Sequence, residues 1–319
     1  MTPQETAAGP GTPPSRTSRP YDGPAGGAVM ALASMFCVQL GLALSVHLFD
    51  QLGPAGTAWL RLAWAGVLLL VLVRPRPSDF TRSDLLVAVV LGAATAGLMI
   101  LFMYAVARIP LGTASALEFL GPLTVVLCTG RGRRRLWALP AAVGVVLLTE
   151  PWHGGIDAVG LGLALAAAVC WAAYILLTQR VGDRVTGLSG LAVSMPVAGI
   201  VATFAAGPSE LAHVTWPLVL TGLALATLHP VIPFSLEFLA LRRLTATAFG
   251  TLMCLEPAIA LAIGAVTLGQ IPGPASAAGV LCVVAAGIGA TRAGGRDDGA
   301  AATEPSRDEP PKVLTADAT

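Results

Sequence analysis

Charge is what this chain has least of. Only 12% of its 319 residues are Asp, Glu, Lys or Arg, while 55% are apolar and the mean hydropathy is +0.75. An ordinary soluble domain carries about 25% charged residues, so a soluble domain of useful size is excluded. Lysine is almost missing: Lys312 stands alone against eighteen Arg. A net charge of +1 leaves no basic surface for nucleic acid, which is not expected as a partner. The five cysteines all lie inside apolar runs, with no CxxC pair and no ligand spacing. Neither a disulfide framework nor a metal site is expected from them. No P-loop, HExxH or Ser-His-Asp arrangement is visible. Neither a cofactor nor enzymatic turnover is therefore expected.

What the chain does have is apolar runs at short intervals. They fall at 28–49, 57–73, 85–107, 112–129, 136–149, 159–178, 188–206, 216–240, 246–268 and 274–291. A helix needs roughly 20 residues to cross the bilayer core, within a range of about 17–25. The fifth run is short by that rule, but the charges argue that it crosses. With ten spans and a cytoplasmic N-terminus, seventeen of the nineteen basic residues fall on the cytoplasmic side, Arg108 alone lies outside, and Arg61 sits within a span. That asymmetry is a strong positive-inside signal. The expected fold is all-α: a polytopic membrane protein with ten transmembrane helices and both termini cytoplasmic. Residues 1–27 and 292–319 are polar and without apolar period, and are expected to be disordered cytoplasmic tails. The first does not have the layout of a signal peptide.

Two stretches resemble each other at an offset of 135 positions: Arg108–Arg133 and Arg243–Leu268. Pro122 falls on Pro257, Arg108 on Arg243, and Leu117 and Leu120 on Leu252 and Leu255. Identity between the halves is low; the matched span order and the shared Pro carry the comparison. The period is five spans, an odd number, so the two halves enter the membrane from opposite sides. Residues 28–149 and 159–291 are expected to be two inverted five-helix repeats. That plan recurs in secondary transporters, with the substrate site at the midplane between the halves.

Four ionisable residues lie within spans: Arg61, Glu118, Glu237 and Glu256. A charged residue at a helix centre costs about 2.5–3.5 kcal/mol on insertion scales, and such groups face the bundle interior and mark ion or substrate paths. The bland alternative, a structural pair of Arg61 with one Glu, leaves two carboxylates unexplained. Prolines accompany each Glu. Pro122 frees the backbone carbonyl four residues back, which is that of Glu118 itself. Pro230, Pro233 and Glu237 are spaced for one helical face, and Pro233 frees the carbonyl of His229. Pro257 follows Glu256 directly. Each Pro is read equally well as a packing kink. Gln39 and Tyr174 are further lining candidates; Tyr104 and Trp171 are read equally as interfacial anchors. His229 is read either as a titratable group or as a cap of a broken helix.

The segments AWLRLAWAGVLLL around Arg61, RIPLGTASALEFLGPL around Glu118, CWAAYILLTQRVG from Cys170 and PFSLEFLALRRLTATAFGTLMCLEPAIA from Pro233 carry a family resemblance. Across residues 28–292 the chain resembles EamA-type members of the drug/metabolite transporter superfamily, and within them the bacterial threonine/homoserine exporters. The resemblance implies ten helices in two inverted halves in a bacterial plasma membrane. It also implies export of small zwitterionic amino acids, driven by proton antiport. Arg61, Glu118, Glu237 and Glu256 fall on charged positions typical of that subgroup. On this reading Arg61, Glu118, Glu237, Gln39 and Tyr174 meet the substrate, and Glu256 and Glu118 handle the proton. One departure stands out: many relatives end the ninth helix in Leu-Gly-Glu, where this chain has Leu268-Gly269-Gln270. If that Glu admits protons in relatives, coupling here uses another group or another stoichiometry. The partners implied are a small zwitterion, protons and the lipid bilayer; a homodimer is left open. Two other readings stay open as well: a multidrug or other metabolite exporter of the same fold, and an intramembrane enzyme or sensor.

Overall fold

The computed structural model describes residues 24–76, 80–129, 132–150, 157–182, 189–241, 243–244 and 246–301. Among them every regular element is helical. In chain order these are α1 Pro24–Val46, α2 Phe49–Val73, α3 Arg82–Val106, α4 Leu111–Glu118 and α5 Leu120–Thr129. A 3-10 turn Gly132–Trp137 leads into α6 Ala138–Thr149. The second half holds α7 Ala158–Gly182, α8 Ser189–Leu211, α9 Trp216–Ala226, a π turn Thr227–Val231, α10 Ile232–Leu241, α11 Ala246–Met253, α12 Glu256–Leu268 and α13 Pro274–Ala301.

Eight stretches are long and apolar enough to cross a membrane, counting α4 with α5 and α11 with α12 as one each. Two shorter apolar helices, Arg135–Thr149 and Trp216–Val231, lie where the fifth and eighth runs were expected. Helix formation here needs no amphipathic pattern, because lipid rewards apolar side chains all round and forces every backbone group to bond internally. Local signals set the ends. Thr81 and Asp84 form a reciprocal capping box at the start of α3, with Asp84 N–H donating to Thr81 Oγ1 at 3.2 Å and Thr81 N–H donating to Asp84 Oδ2 at 3.0 Å. The last helix runs to Ala301, a further ten residues past the apolar run that ends at 291. Most of both expected tails lies outside the described residues.

Three of the expected continuous spans are broken. The fourth divides at Phe119 into α4 and α5, and the ninth divides at Cys254 and Leu255 into α11 and α12. Shifted by 135 positions, α4 superimposes on α11 residue for residue, so both breaks fall at the same place in the repeat. The eighth span is not merely kinked by Pro233. Its backbone leaves the helix at His229 (φ −152°, ψ 109°), so Pro230 lies in the π turn instead of continuing the helical face of Pro233 and Glu237.

The halves are interleaved rather than side by side. The main pairings are α2 with α8, α3 with α7 and with α8, α6 with α13, α1 with α10, and α4 with α12. Exchanging the first five spans for the last five sends α1–α10 onto α7–α3 and returns α2–α8 and α6–α13 each to itself. A packing of this kind places the broken fourth and ninth spans against each other at the centre.

At one end of that central pair sits Gln270. Its Oε1 accepts from the backbone N–H of Leu111, the first residue of α4, at 2.8 Å. Pro110 supplies no side-chain cap of its own. Gly269 ends α12 in the left-handed region (φ 64°) and turns Gln270 back toward α4. The departure from the Leu-Gly-Glu ending therefore falls on an inter-half helix cap. Gln270→Ala is expected to destabilise the fold by about 0.5–2 kcal/mol, the usual value of an N-cap. Gln270→Glu should keep the cap, because a carboxylate there also faces the positive end of the α4 dipole. Thermal melts of the two purified variants against the parent protein test this; equal melting of Gln270→Ala and the parent would refute it.

Near the same end, Arg108 pairs with Asp157 at 2.9 Å. The single basic residue assigned to the external side is thus neutralised. The Gly160 N–H, then the Arg108 guanidinium, and the Val159 N–H hold the Asp157 carboxyl below the usual carboxylate range against a small opposing effect of desolvation.

Candidate functional site

Among the elements just described, the broken spans surround a cavity of about 260 Å³. Both halves line it. The first contributes Arg61 from α2, Thr95 and Phe102 from α3, and Glu118 from the end of α4. The second contributes Trp171 and Tyr174 from α7, His229 and Pro230 from the π turn, Glu237 from α10, Met253 from the end of α11 and Glu256 from the start of α12. Most of the remaining wall is apolar, including Met35, Met99 and Met195.

The helix breaks explain where the charges stand. Glu118 is the last residue of α4 and Glu256 the first of α12. The carbonyl end of α4 favours a cation beside Glu118, and the N–H end of α12 favours an anion at Glu256. Met253, the repeat counterpart of Glu118, lines the same cavity from the end of α11. Glu118 and Glu256 are within electrostatic reach of each other, as are Glu256 and Glu237. Three carboxyls thus face one low-dielectric space, where a proton or a cation between them is stabilised.

Each carboxyl is held differently. Ser34 Oγ donates to Glu237 Oε1 at 2.8 Å, and to the carbonyl of Pro233 at 3.4 Å. Gln39 Nε2 donates to Glu256 Oε1 at 3.1 Å and to Ser115 Oγ at 3.4 Å. Glu118 has no hydrogen-bond partner among the described residues, and its side chain is the one left to the cavity. Gln39 is 1% exposed and stands behind Glu256 instead of on the cavity wall.

Arg61 is equally buried, at 1% exposure. No carboxylate among the described residues pairs with it, so the structural Arg–Glu pair considered from the sequence is absent. Its Nη2 bonds Nδ1 of His229, while Nε and Nη1 have no partner among the described residues. Among the described residues the cavity wall thus combines one unneutralised guanidinium, whose two unpartnered nitrogens are themselves buried, with three carboxyls, and is otherwise largely apolar.

Of the residues singled out in the sequence, Arg61, Glu118, Glu237, Glu256, Tyr174 and Pro230 line the cavity. Pro122 and Pro257 mark the two breaks, and Pro233 lies one turn before Glu237. The supports Ser34 and Ser115 escaped sequence reasoning, since small hydroxyls are common in membrane helices and usually bond their own backbone, as Ser45 does to Gly41 at 2.6 Å. The proximity of Ser34 to Glu237, 203 positions away, leaves no local signal.

Comparison with known proteins adds the following. The EamA-like transporter family matches residues 25–130 and 158–291. The threonine/homoserine exporter RhtA of Escherichia coli is 34% identical over 270 residues, covering 82% of this chain and 90% of that protein. The threonine/homoserine exporter RhtA of Salmonella typhimurium is 34% identical over 267 residues, with the same coverage of 82% and 90%. A solved crystal structure of a protein shares the fold with a TM-score of 0.58 at 18% identity, over 86% of this chain and 99% of that one.

Proposed function

Because the chain belongs to the EamA-like transporter family, we propose that it exports small amino acids of the threonine or homoserine type, in exchange for protons. The observation that carries this reading is the cavity itself, whose wall holds Arg61, paired with no carboxylate among the described residues, together with three carboxyls. A zwitterion is complementary to both. Its carboxylate meets Arg61, and its ammonium meets Glu118 beside the carbonyl end of α4. Glu256 takes up and releases the coupling proton, with Gln39 fixing its orientation. Glu237 and Tyr174 complete the binding wall. The cavity, at about 260 Å³, lies just under the roughly 300–1,000 Å³ of pockets that hold drug-sized ligands, which suits a small metabolite.

The reading extends to topology. Residues 28–149 and 159–291 act as two inverted repeats that rock about the central cavity, and both termini face the cytoplasm of a bacterial cell, as the distribution of arginines indicates.

Counterflow in proteoliposomes tests the substrate. Vesicles preloaded with threonine should take up labelled threonine and homoserine from a dilute outside solution, and an outward-directed flux should move protons inward. Uptake of cationic dyes with no response to threonine or homoserine would overturn the proposal. That second result has some support in the four methionines of the wall, Met35, Met99, Met195 and Met253, since flexible thioethers adapt to varied apolar ligands.

A further inference from the structure

We propose that His229 is a positioning residue for substrate recognition: it holds the Arg61 guanidinium at the cavity wall without neutralising it, and apart from the three carboxyls. The inference rests on the reading that the substrate carboxylate meets Arg61.

The chemistry of the contact fixes the roles. A guanidinium carries only donors. The His229 Nδ1 that meets Arg61 Nη2 must therefore accept, so the imidazole is neutral and carries its hydrogen on Nε2. A neutral acceptor is an unusual partner for a cation buried to 1% exposure, since buried charges are ordinarily paired with opposite charge. Here three carboxyls line the same cavity, yet none of them pairs with Arg61. An arginine side chain is long and flexible enough to reach such neighbours. A direct bidentate Arg–Glu pair would take two of the five guanidinium donors and neutralise the charge that draws a ligand carboxylate. One neutral acceptor ties down a single corner and spends no negative charge. Nε and Nη1 then stay unpartnered, and Nη2 keeps a second N–H, so one two-donor face of the guanidinium, Nη2 with one of its neighbours, is left for a planar carboxylate that reaches it.

The backbone is shaped to deliver that acceptor. α9 stops at Ala226, and the π turn carries His229 out of helical geometry (φ −152°, ψ 109°) before α10 resumes at Ile232. π turns inside helices occur frequently at functional sites. Gly41 of α1 lets the turn approach closely: a Cβ added there would stand 3.2 Å from the His229 Cβ. Carboxylate specificity is thus built by the eighth span, acting through a residue of the second.

The test compares threonine with threoninamide, which lacks the carboxylate, by counterflow KM in proteoliposomes of the full-length protein. His229→Phe keeps a ring but removes the acceptor, and His229→Leu removes the acceptor with a different shape, so that one informs if the other does not fold. Each is expected to raise the threonine KM by about tenfold or more, the effect of losing one hydrogen bond to a charged group, with little change for threoninamide. His229→Asn restores an acceptor and should recover most of the loss. Arg61→Gln should abolish the discrimination between the two substrates. If Arg61→Gln abolishes it while the Phe and Leu variants keep the parent ratio, His229 does not position Arg61 and the inference fails. If Arg61→Gln itself keeps the parent ratio, the carboxylate does not meet Arg61, and the proposed substrate reading fails first.

Discussion

Proteoliposomes carrying Glu118→Gln together with Glu256→Gln are expected to show threonine counterflow no higher than protein-free vesicles. The reason is electrostatic. The cavity holds one fixed cation, Arg61, and its walls are largely apolar. Under the proposed assignment the substrate ammonium and the coupling proton both rely on carboxyls at the two helix breaks. A neutral amide neither attracts an ammonium strongly nor carries a proton. Losing a hydrogen bond to a charged group weakens binding by about 1.5–3 kcal/mol, and two such losses together amount to roughly a hundredfold to more than a thousandfold. The exchange is isosteric, and an amide oxygen at position 256 can still accept from Gln39, so the fold should survive. The single variants separate the roles. Glu118→Gln should raise the substrate KM most, whereas Glu256→Gln should weaken exchange of substrate for substrate without abolishing it, and should lose accumulation driven by a proton gradient. Undiminished counterflow by the double variant would refute the assignment of both carboxyls.

The second large effect is on stability. Gly121→Val should lower the melting temperature and the yield of monodisperse protein sharply. Gly121 sits in the first turn of α5, buried against α7. A Cβ there would run into the backbone oxygen of Ala168, and would stand 2.9 Å from its carbonyl carbon. A backbone oxygen cannot rotate aside, so the helices must separate. Overpacking typically costs about 1–3 kcal/mol, occasionally more, and the displacement would also move the end of α4, three residues back, where Glu118 stands. Gly162→Val on α7 is the control, because nothing lies within 4 Å of an added Cβ there. Its melting should match the parent. Equal melting of the Gly121 and Gly162 variants would show that close packing of α5 on α7 is not what holds the fourth span in place.

Much of the fold was readable in the residues. A membrane helix answers to its own composition: apolar length, flanking arginines and the position of proline are local quantities. The apolar runs therefore fall on helices, with most bounds within a few residues but α2 beginning eight residues early and α13 ending ten residues late, and Pro122 and Pro257 point to the breaks beside Glu118 and Glu256. The charged residues were readable too, because a carboxylate or guanidinium inside an apolar run is conspicuous wherever it packs. Their partners were not. Arg61 pairs with no Glu but with His229, 168 positions away. Gln39 supports Glu256 from behind, and Ser34 holds Glu237.

By itself, then, the sequence determined that this is an all-α, multi-pass membrane protein, that it divides into two related stretches, and which few ionisable groups its lipid-embedded part carries. Only the tertiary structure decided which of those groups share one cavity, that Arg61 meets His229 and no carboxyl among the described residues, and that Gln270 caps α4 from far along the chain. The division has a physical cause. Insertion into lipid is settled span by span, through transfer free energy and backbone hydrogen bonding. The meeting of side chains depends on which helices pack together, and that is set by shape across the whole bundle, which no single stretch of residues contains.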